Sequence, residues 1–475
     1  MNSKKTFLTN VLWSFFGQFG YMVVGLVGNI VLARFLMPEE FGQFGIAMFF
    51  VVISNVLIES GFSGALIRLK KVEEKDYSTI FVFNLIISII LYVLLIVFSN
   101  NIAAFYNDKQ LTSILIVIGS ILVFNAFQIT QNAKLVKGMM FRKRALYKFI
   151  SLFLATIVAI VLAVNNYGIW ALVFLQVLSS FFLSIILSLK VKNSFSFKFD
   201  KVAFKKMYSF GMNTTIASVV NTAFENGYQL IIGKYFSLAQ VGVFYQAKRL
   251  QEVPDALYKN VILNVFYSKL ANYQENIKEF HQKYIEMTIH ATIVIGLSTT
   301  IVTCFSEEVI DFVYGSKWQD SAFFLKLLSI SSFFYLIEIC NRNIFKVFNK
   351  TNILLGIEIL KKIVQSITIF IGIYFHSLEY LMYGYLFTTI FSLVVNYYYA
   401  KKVLSVLSFK GLIPIGLVLF IVVLLYILIT SLNNYLNYNF YVLVIELIIV
   451  TGLYILLLFL FKITSVKKIK NILKK

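Results

Sequence analysis

Long apolar runs separated by short polar breaks divide the chain into fourteen candidate membrane spans. About 20 consecutive apolar residues in a helix are enough to cross a bilayer. The predicted spans are residues 10–36, 41–67, 79–98, 111–133, 145–164, 167–189, 206–232, 239–267, 284–305, 321–341, 353–375, 379–400, 411–431 and 439–461. The connecting loops are short, so the pattern predicts an all-α membrane protein with no room for an extramembrane domain.

The composition supports this interpretation. Of 475 residues, 59% are hydrophobic and 14% charged, whereas soluble domains carry about 25% charged residues. A soluble enzyme, a disordered chain and a disulfide scaffold are therefore excluded. Cys304 and Cys340 lie apart, and none of the patterns HExxH, GxSxG and GxxxxGK[ST] occurs. We expect no catalytic residues, no metal and no cofactor, and we predict a transporter instead of an enzyme.

The net charge of +21 would suggest nucleic acid in a soluble protein. Here 33 of the 43 Lys and Arg residues fall at one set of span ends, four fall at the opposite ends, and six fall inside spans. Basic residues mark the cytoplasmic ends of membrane helices. The distribution predicts cytoplasmic termini and no nucleic-acid partner.

An internal repeat occurs at an offset of 200 residues. The segment RFL at residues 34–36 matches KYF at 234–236, and Gly42 matches Gly242. A shift of six spans preserves topology, as in parallel repeats. We predict an N-terminal six-helix lobe at 1–200, a C-terminal one at 201–405, and two further helices with a basic tail at 406–475. The two lobes would be related by pseudo-two-fold symmetry around a central cavity.

Polar residues at helical spacing form stripes within five of the spans. Such residues are costly in a membrane and usually face a bundle interior or a wet cavity. The stripes comprise Asn10, Ser14 and Gln18; Asn55 and Glu59; Thr214, Ser218, Asn221, Glu225 and Gln229; Lys248, Glu252, Asp255 and Lys259; and Glu358, Lys361 and Lys362. We expect them to line the central cavity.

The cations of these stripes are the candidate substrate-binding residues. Lys248 and Arg249 lie about 15 Å into their span at 1.5 Å per residue, where adjacent cations suit an anion such as phosphate. Lys259, Lys361 and Lys362 complete the predicted set.

The acids Glu59, Glu225, Glu252, Asp255 and Glu358 would bind a coupling ion, H⁺ or Na⁺, or balance the cations. Pro254 removes a backbone donor in mid-span and is a candidate hinge. An alternative stays open: Lys248/Glu252 and Asp255/Lys259 are i,i+4 pairs that could neutralise each other in a packed helix.

Several segments resemble bacterial polysaccharide exporters. They are LARFLMPEEFG at 32–42, ESGFSGALIR at 59–68 and YGIWALV at 167–173. The chain is similar to the lipid-linked oligosaccharide flippases of the multidrug/oligosaccharidyl-lipid/polysaccharide exporter superfamily, in particular the colanic-acid-exporter-like branch.

The resemblance implies a bacterial cytoplasmic-membrane protein that moves an undecaprenyl-diphosphate-linked oligosaccharide to the outer leaflet by alternating access. The diphosphate would meet Lys248, Arg249 and Lys259, and polysaccharide polymerase or export machinery would be a partner. One alternative is a cation-coupled drug exporter of the same superfamily, which usually has twelve spans. Another is a membrane polymerase or glycosyltransferase, but the outward loop at 306–320 is short and has no DxD motif.

Overall fold

The computed structural model describes residues 2–59, 66, 72–191, 197–433 and 440–463. Within these ranges the chain is helical and contains no strand. The predicted all-α membrane fold is therefore confirmed.

Eight long helices form the first half of the chain. They are α1 (Asn2–Phe35), α2 (Pro38–Glu59), α3 (Glu74–Phe105), α4 (Gln110–Lys137), α5 (Phe141–Val164), α6 (Trp170–Lys190), α7 (Lys201–Tyr235) and α8 (Leu238–Asn260). A π-helical segment (Val261–Phe266) joins α8 to the short α9 (Tyr267–Ala271).

The second half continues as helices joined by short turns. They are α10 (Ile277–Cys304), α11 (Ser306–Tyr314), α12 (Ser321–Val347), α13 (Thr351–Tyr374), α14 (Leu378–Val403), α15 (Ile413–Asn433) and α16 (Phe440–Leu460). Side-chain oxygens cap several N-termini, where backbone N–H groups would otherwise lack acceptors. Asp200 accepts from the Ala203 N–H at 2.8 Å, and Ser377 accepts from the Tyr380 N–H at 3.2 Å.

Ten helices in the described part of the chain are long and apolar enough to cross a membrane. The helices α8 and α13 are not among the ten, because charged residues interrupt their apolar sequence. In the described part of α1, only the shorter stretch Phe19–Phe35 is apolar enough. The predicted total of fourteen spans stays a prediction.

The chain divides into two compact units, Met1–Tyr245 and Gln246–Lys475. The first unit includes α7 because that helix packs against α2 and α3. The predicted lobe boundary after residue 200 differs from this division, and the lobes themselves stay a prediction.

Each unit has its own core. In the first unit, α3 packs on α4, and α5 packs on both α1 and α6. In the second unit, α12 packs on α14, and α10 packs on α15. There the Tyr454 hydroxyl of α16 donates to the Ile293 carbonyl oxygen of α10 at 2.8 Å.

Two glycines at the start of α2 and α8 allow these helices to approach very closely. A Cβ on Gly42 would collide with the Leu238 carbonyl group, and a Cβ on Gly242 would collide with the Pro38 carbonyl group. The two contacts are reciprocal at the offset of 200 residues, as expected where equivalent segments meet across a local two-fold axis. The glycines of the sequence repeat therefore share one structural role.

Gly42→Ala and Gly242→Ala should each destabilise the protein. The added methyl group meets backbone atoms, which cannot rotate away, and overpacking of this kind costs about 1–3 kcal/mol. Thermal unfolding of the detergent-solubilised protein measures the effect. Gly227→Ala in α7 is the matched control, because its Cβ would meet no described atom within 4 Å apart from its chain neighbours and the backbone of its own helix. Equal melting temperatures for the three variants would contradict the interpretation.

Candidate functional site

A polar cavity of about 520 Å³ lies inside the first unit. Five helices, α1, α2, α4, α5 and α6, contribute to its wall. Its polar lining residues are Tyr21, Asn55, Glu59, Asn125, Gln128, Asn132, Arg144, Lys148, Ser151, Gln176, Ser179 and Ser180.

Helical periodicity brings these residues together. Asn125, Gln128 and Asn132 follow one another at three and four positions along α4. Arg144, Lys148 and Ser151 do the same along α5. Side chains three and four positions apart share a helix face, so each helix presents one polar stripe to the cavity.

The middle of the cavity wall is a network of amides and hydroxyls. The Asn125 amide donates to Asn55 Oδ1 at 2.9 Å, and the Ser180 hydroxyl donates to Asn125 Oδ1 at 2.6 Å. The Gln128 amide donates to the Ser180 carbonyl and hydroxyl oxygens, both at 2.9 Å. The network fixes α2, α4 and α6 relative to one another.

Other polar groups of the wall are available to a ligand. The buried Asn132 Oδ1 has no hydrogen-bond partner in the part of the chain that the structure describes. Gln176 and Ser179 line the same cavity on α6. Amides and hydroxyls both donate and accept, so these groups suit a hydroxylated ligand.

One end of the cavity carries an excess of positive charge. Arg144 and Lys148 lie in the first two turns of α5, and Glu59 is the last residue of α2. Among the described residues, neither cation has an acidic partner within 4 Å, and the buried Arg144 Nε has no hydrogen-bond partner. The first turn of α5 contains no acid, although helix N-termini favour negative charge. This end therefore favours an anion.

The structure places the predicted residues of the first unit as follows. Asn55 and Glu59 line the cavity, Gln229 is buried on α7, and Ser218, Asn221 and Glu225 are exposed there. The side chains of Asn10, Ser14, Gln18 and Thr214 lie outside the described residues.

In the second unit, several predicted residues converge on α12. Lys361 pairs with the buried Glu338 at 3.2 Å, and Glu358 pairs with Arg342 at 2.5 Å. Arg342 lies 3.6 Å from Glu338, and the Asn396 amide donates to Glu338 at 3.2 Å. Two acids and two cations thus form a charge-balanced cluster.

The residues of α8 reach the same helix. Lys259 lies 4.8 Å from the ring centre of Tyr335, where Lys361 lies 5.4 Å away on the same ring. Asp255 accepts hydrogen bonds from Gln251 at 3.0 Å and from Ser332. These contacts bind the C-terminal half of α8 to α12.

The remaining predicted residues take other positions. Arg249 pairs with Glu252 at 3.5 Å on a surface where both side chains are about half exposed. Lys248 and Lys362 are half-buried. The helix α8 continues through Pro254 and changes to π-helical geometry only at Val261–Phe266, so the proline hinge stays a prediction.

Sequence reasoning missed four charged residues. It counted Arg144 and Lys148 with the cations that set topology, yet their four-residue spacing was a signal for one helix face. It counted Arg342 in the same way, and it omitted Glu338, although Glu338 lies within an apolar span, where a charge signals a functional or paired group.

The fold and the cavity define a multi-pass α-helical membrane protein with a polar, positively charged cavity inside a helical bundle. A family model described as polysaccharide biosynthesis protein matches residues 31–323. The match covers more than half of the chain, so the chain belongs to this family.

A curated relative agrees with this assignment. The chain is 24% identical over 335 residues to the succinoglycan biosynthesis transport protein ExoT of Rhizobium meliloti (strain 1021). The alignment covers 69% of this chain and 66% of ExoT, so the chain spans just under two thirds of that relative's length.

Solved structures show the same fold. The inward closed conformation of the lipid II flippase MurJ has a TM-score of 0.73 at 17% identity, covering 94% of this chain and 98% of that chain. The inward-facing conformation of a multidrug resistance MATE family transporter of the MOP superfamily has a TM-score of 0.63 at 17% identity, covering 81% and 94%. The resemblance to the polysaccharide exporters of this superfamily is confirmed.

Glu338→Gln should destabilise the second unit strongly. The amide cannot neutralise Lys361 and Arg342, and breaking a buried ion pair costs about 3–5 kcal/mol. Thermal unfolding in detergent measures the loss, and Glu338→Gln/Lys361→Gln should recover part of it. The matched control is Glu252→Gln, which breaks a half-exposed pair worth about 0–1 kcal/mol. A loss no greater than that of the control would show that the cluster is not energetically important.

Proposed function

We propose that the protein is a flippase for lipid-linked oligosaccharide in the bacterial cytoplasmic membrane. It carries an undecaprenyl-diphosphate-linked repeat unit from the cytoplasmic to the outer leaflet by alternating access. The family assignment supports a role in polysaccharide biosynthesis. The names of ExoT, a transport protein, and MurJ, a flippase, support translocation of a lipid-linked substrate.

The observation that carries the proposal is the pair of cations, Arg144 and Lys148, that face the cavity without an acidic partner within 4 Å among the described residues. A diphosphate offers oxygens to both at once. Hydrogen bonds between charged groups are about twice as strong as neutral ones, and the guanidinium fork matches phosphate geometry. The pair therefore binds the diphosphate.

The neutral part of the cavity receives the sugars. Asn125 precedes Asn132 by seven residues on α4, about 10 Å at 1.5 Å per residue, so the amide network lies deeper than the charged end. Gln176, Ser179 and Asn132 supply hydrogen bonds to hydroxyl groups. The polyprenyl chain stays in the lipid.

The proposed topology orients this cavity. With a cytoplasmic N-terminus, α2 ends and α5 begins on the cytoplasmic side, so Glu59, Arg144 and Lys148 lie where the substrate is made. Gly42 and Gly242 then lie near the outer surface.

The other predicted cations keep a second role in this proposal. Lys248, Arg249, Lys259, Lys361 and Lys362 remain candidates for contact with the diphosphate, although Arg249 and Lys361 would first have to leave their ion pairs with Glu252 and Glu338. The predicted acids Glu59, Glu225, Glu252, Asp255 and Glu358 remain candidates for coupling to H⁺ or Na⁺ or for balancing the cations. Transport in proteoliposomes that ignored both ion gradients would contradict the coupling role.

Arg144→Ala and Lys148→Ala should each abolish polysaccharide export in a deletion strain complemented with the variant. Lipid-linked oligosaccharide should accumulate on the cytoplasmic leaflet, because the diphosphate loses a charged partner. Extraction of labelled lipid-linked sugar and measurement of surface polysaccharide check the result. Lys143→Ala, an exposed cation of the same helical turn, should export normally. Normal export by both cavity variants at wild-type protein levels would rule out this binding site.

A further inference from the structure

We infer that Glu59 is an internal counter-ion that weakens the binding of the substrate's phosphate groups to Arg144 and Lys148 without bonding to either cation itself. This inference rests on the proposed function, since it assigns the phosphate to these two cations. It gives Glu59 a defined part in binding and release.

The position of Glu59 supports this role. It is the last residue of α2, its side chain is exposed, and it lines the cavity together with both cations. It interacts electrostatically with Arg144 and with Lys148, yet it lies within 4 Å of no cation among the described residues. The carboxylate is therefore near both cations and bonded to neither.

This separation distinguishes Glu59 from the acids of the second unit. Glu338 and Glu358 make direct ion pairs, and those pairs balance the charge of Lys361 and Arg342. Glu59 leaves the oxygen-binding positions of its two cations open. A phosphate group can occupy them without first breaking an ion pair.

Electrostatics gives Glu59 opposite effects on the empty and the occupied cavity. In the empty cavity it offsets part of the cost of keeping two cations away from bulk water. In the occupied cavity its charge repels the phosphate, and this repulsion increases with the charge of the ligand. Glu59 therefore weakens binding and stabilises the empty carrier.

A flippase needs both effects. It must release its substrate on the far side and then return without it. A site with two uncompensated cations would hold a diphosphate too tightly and would return empty only at a high cost. Glu59 makes release of the diphosphate easier and lowers the cost of returning empty, so its removal should tighten binding and slow export.

Binding of inorganic pyrophosphate and inorganic phosphate to the full-length, detergent-solubilised protein tests the inference. Isothermal titration calorimetry compares the wild type with Glu59→Gln and with Glu59→Ala, a second variant that also removes the charge. Both should bind pyrophosphate about fivefold tighter or more, since a close like charge is removed. The gain for phosphate should be smaller, because phosphate carries less charge.

Glu39→Gln is the matched control. It makes the same change at the other end of α2, 20 residues or about 30 Å away along the helix axis, and it should leave both affinities unchanged. An equal gain in the control would mean a general charge effect and would overturn the inference.

Arg144→Ala and Lys148→Ala separate the inference from the proposed function. If these variants lose pyrophosphate binding while the Glu59 variants bind as the wild type does, the counter-ion role is wrong and the phosphate site stands. If they bind pyrophosphate as the wild type does, or if the wild type does not bind it, the phosphate site fails and the inference fails with it.

Discussion

The close approach of α2 and α8 at Gly42 and Gly242 is the constraint on which the arrangement of the first unit depends. Each glycine lets the backbone of the other helix come closer than any side chain would allow. Because both contacts involve backbone atoms, they fix the start of α2 without relying on rotamers. That helix then runs to Asn55 and Glu59, and its direction decides where these two side chains enter the cavity. The amide network joins α2 to α4 and α6 further along, so the wall is held at two levels.

The charged residues of the two units differ in whether they form direct ion pairs. In the second unit, Glu338 pairs with Lys361 and Glu358 pairs with Arg342. The Asn396 amide donates a hydrogen bond to the other carboxylate oxygen of Glu338. Such a cluster holds helices together, because its partners are already bound to one another. In the first unit, Arg144 and Lys148 face a cavity where Glu59 is the one acid among the described lining residues, and it lies within 4 Å of neither cation. The same residue types thus hold helices together in the second unit and are proposed to attract a ligand in the first, and the distance between opposite charges makes the difference.

Sequence periodicity was sufficient for the fold class, and it also identified two residues that line the cavity. The run lengths predicted membrane helices, the repeat found Gly42 and Gly242, and the polar stripe of α2 found Asn55 and Glu59. It could not identify Arg144 and Lys148 as cavity residues. Lys and Arg near a helix end can either set the membrane topology or bind an anion, and the sequence does not distinguish the two roles. Sequence periodicity also could not predict that Lys361 forms an ion pair with Glu338, because it relates only residues of the same helix. The partner lies on another helix, and only the packing of α12 against α13 and α14 brings the two together.

The cations at the start of α5 form two groups, which differ in the direction their side chains take from the helix. Arg142, Lys143, Arg144 and Lys148 all belong to the first two turns of α5, and all four count toward the predicted cytoplasmic position of that helix end. Arg142 and Lys143 are exposed, whereas Arg144 and Lys148 turn into the cavity. A helix whose first turns carry cations for its topology can thus supply the proposed binding site by its orientation about its own axis, without further charged residues. The charge pattern alone therefore cannot distinguish the proposed site residues from the cations that set topology. The packing of α5 against α1 and α6 decides which of its cations face the cavity.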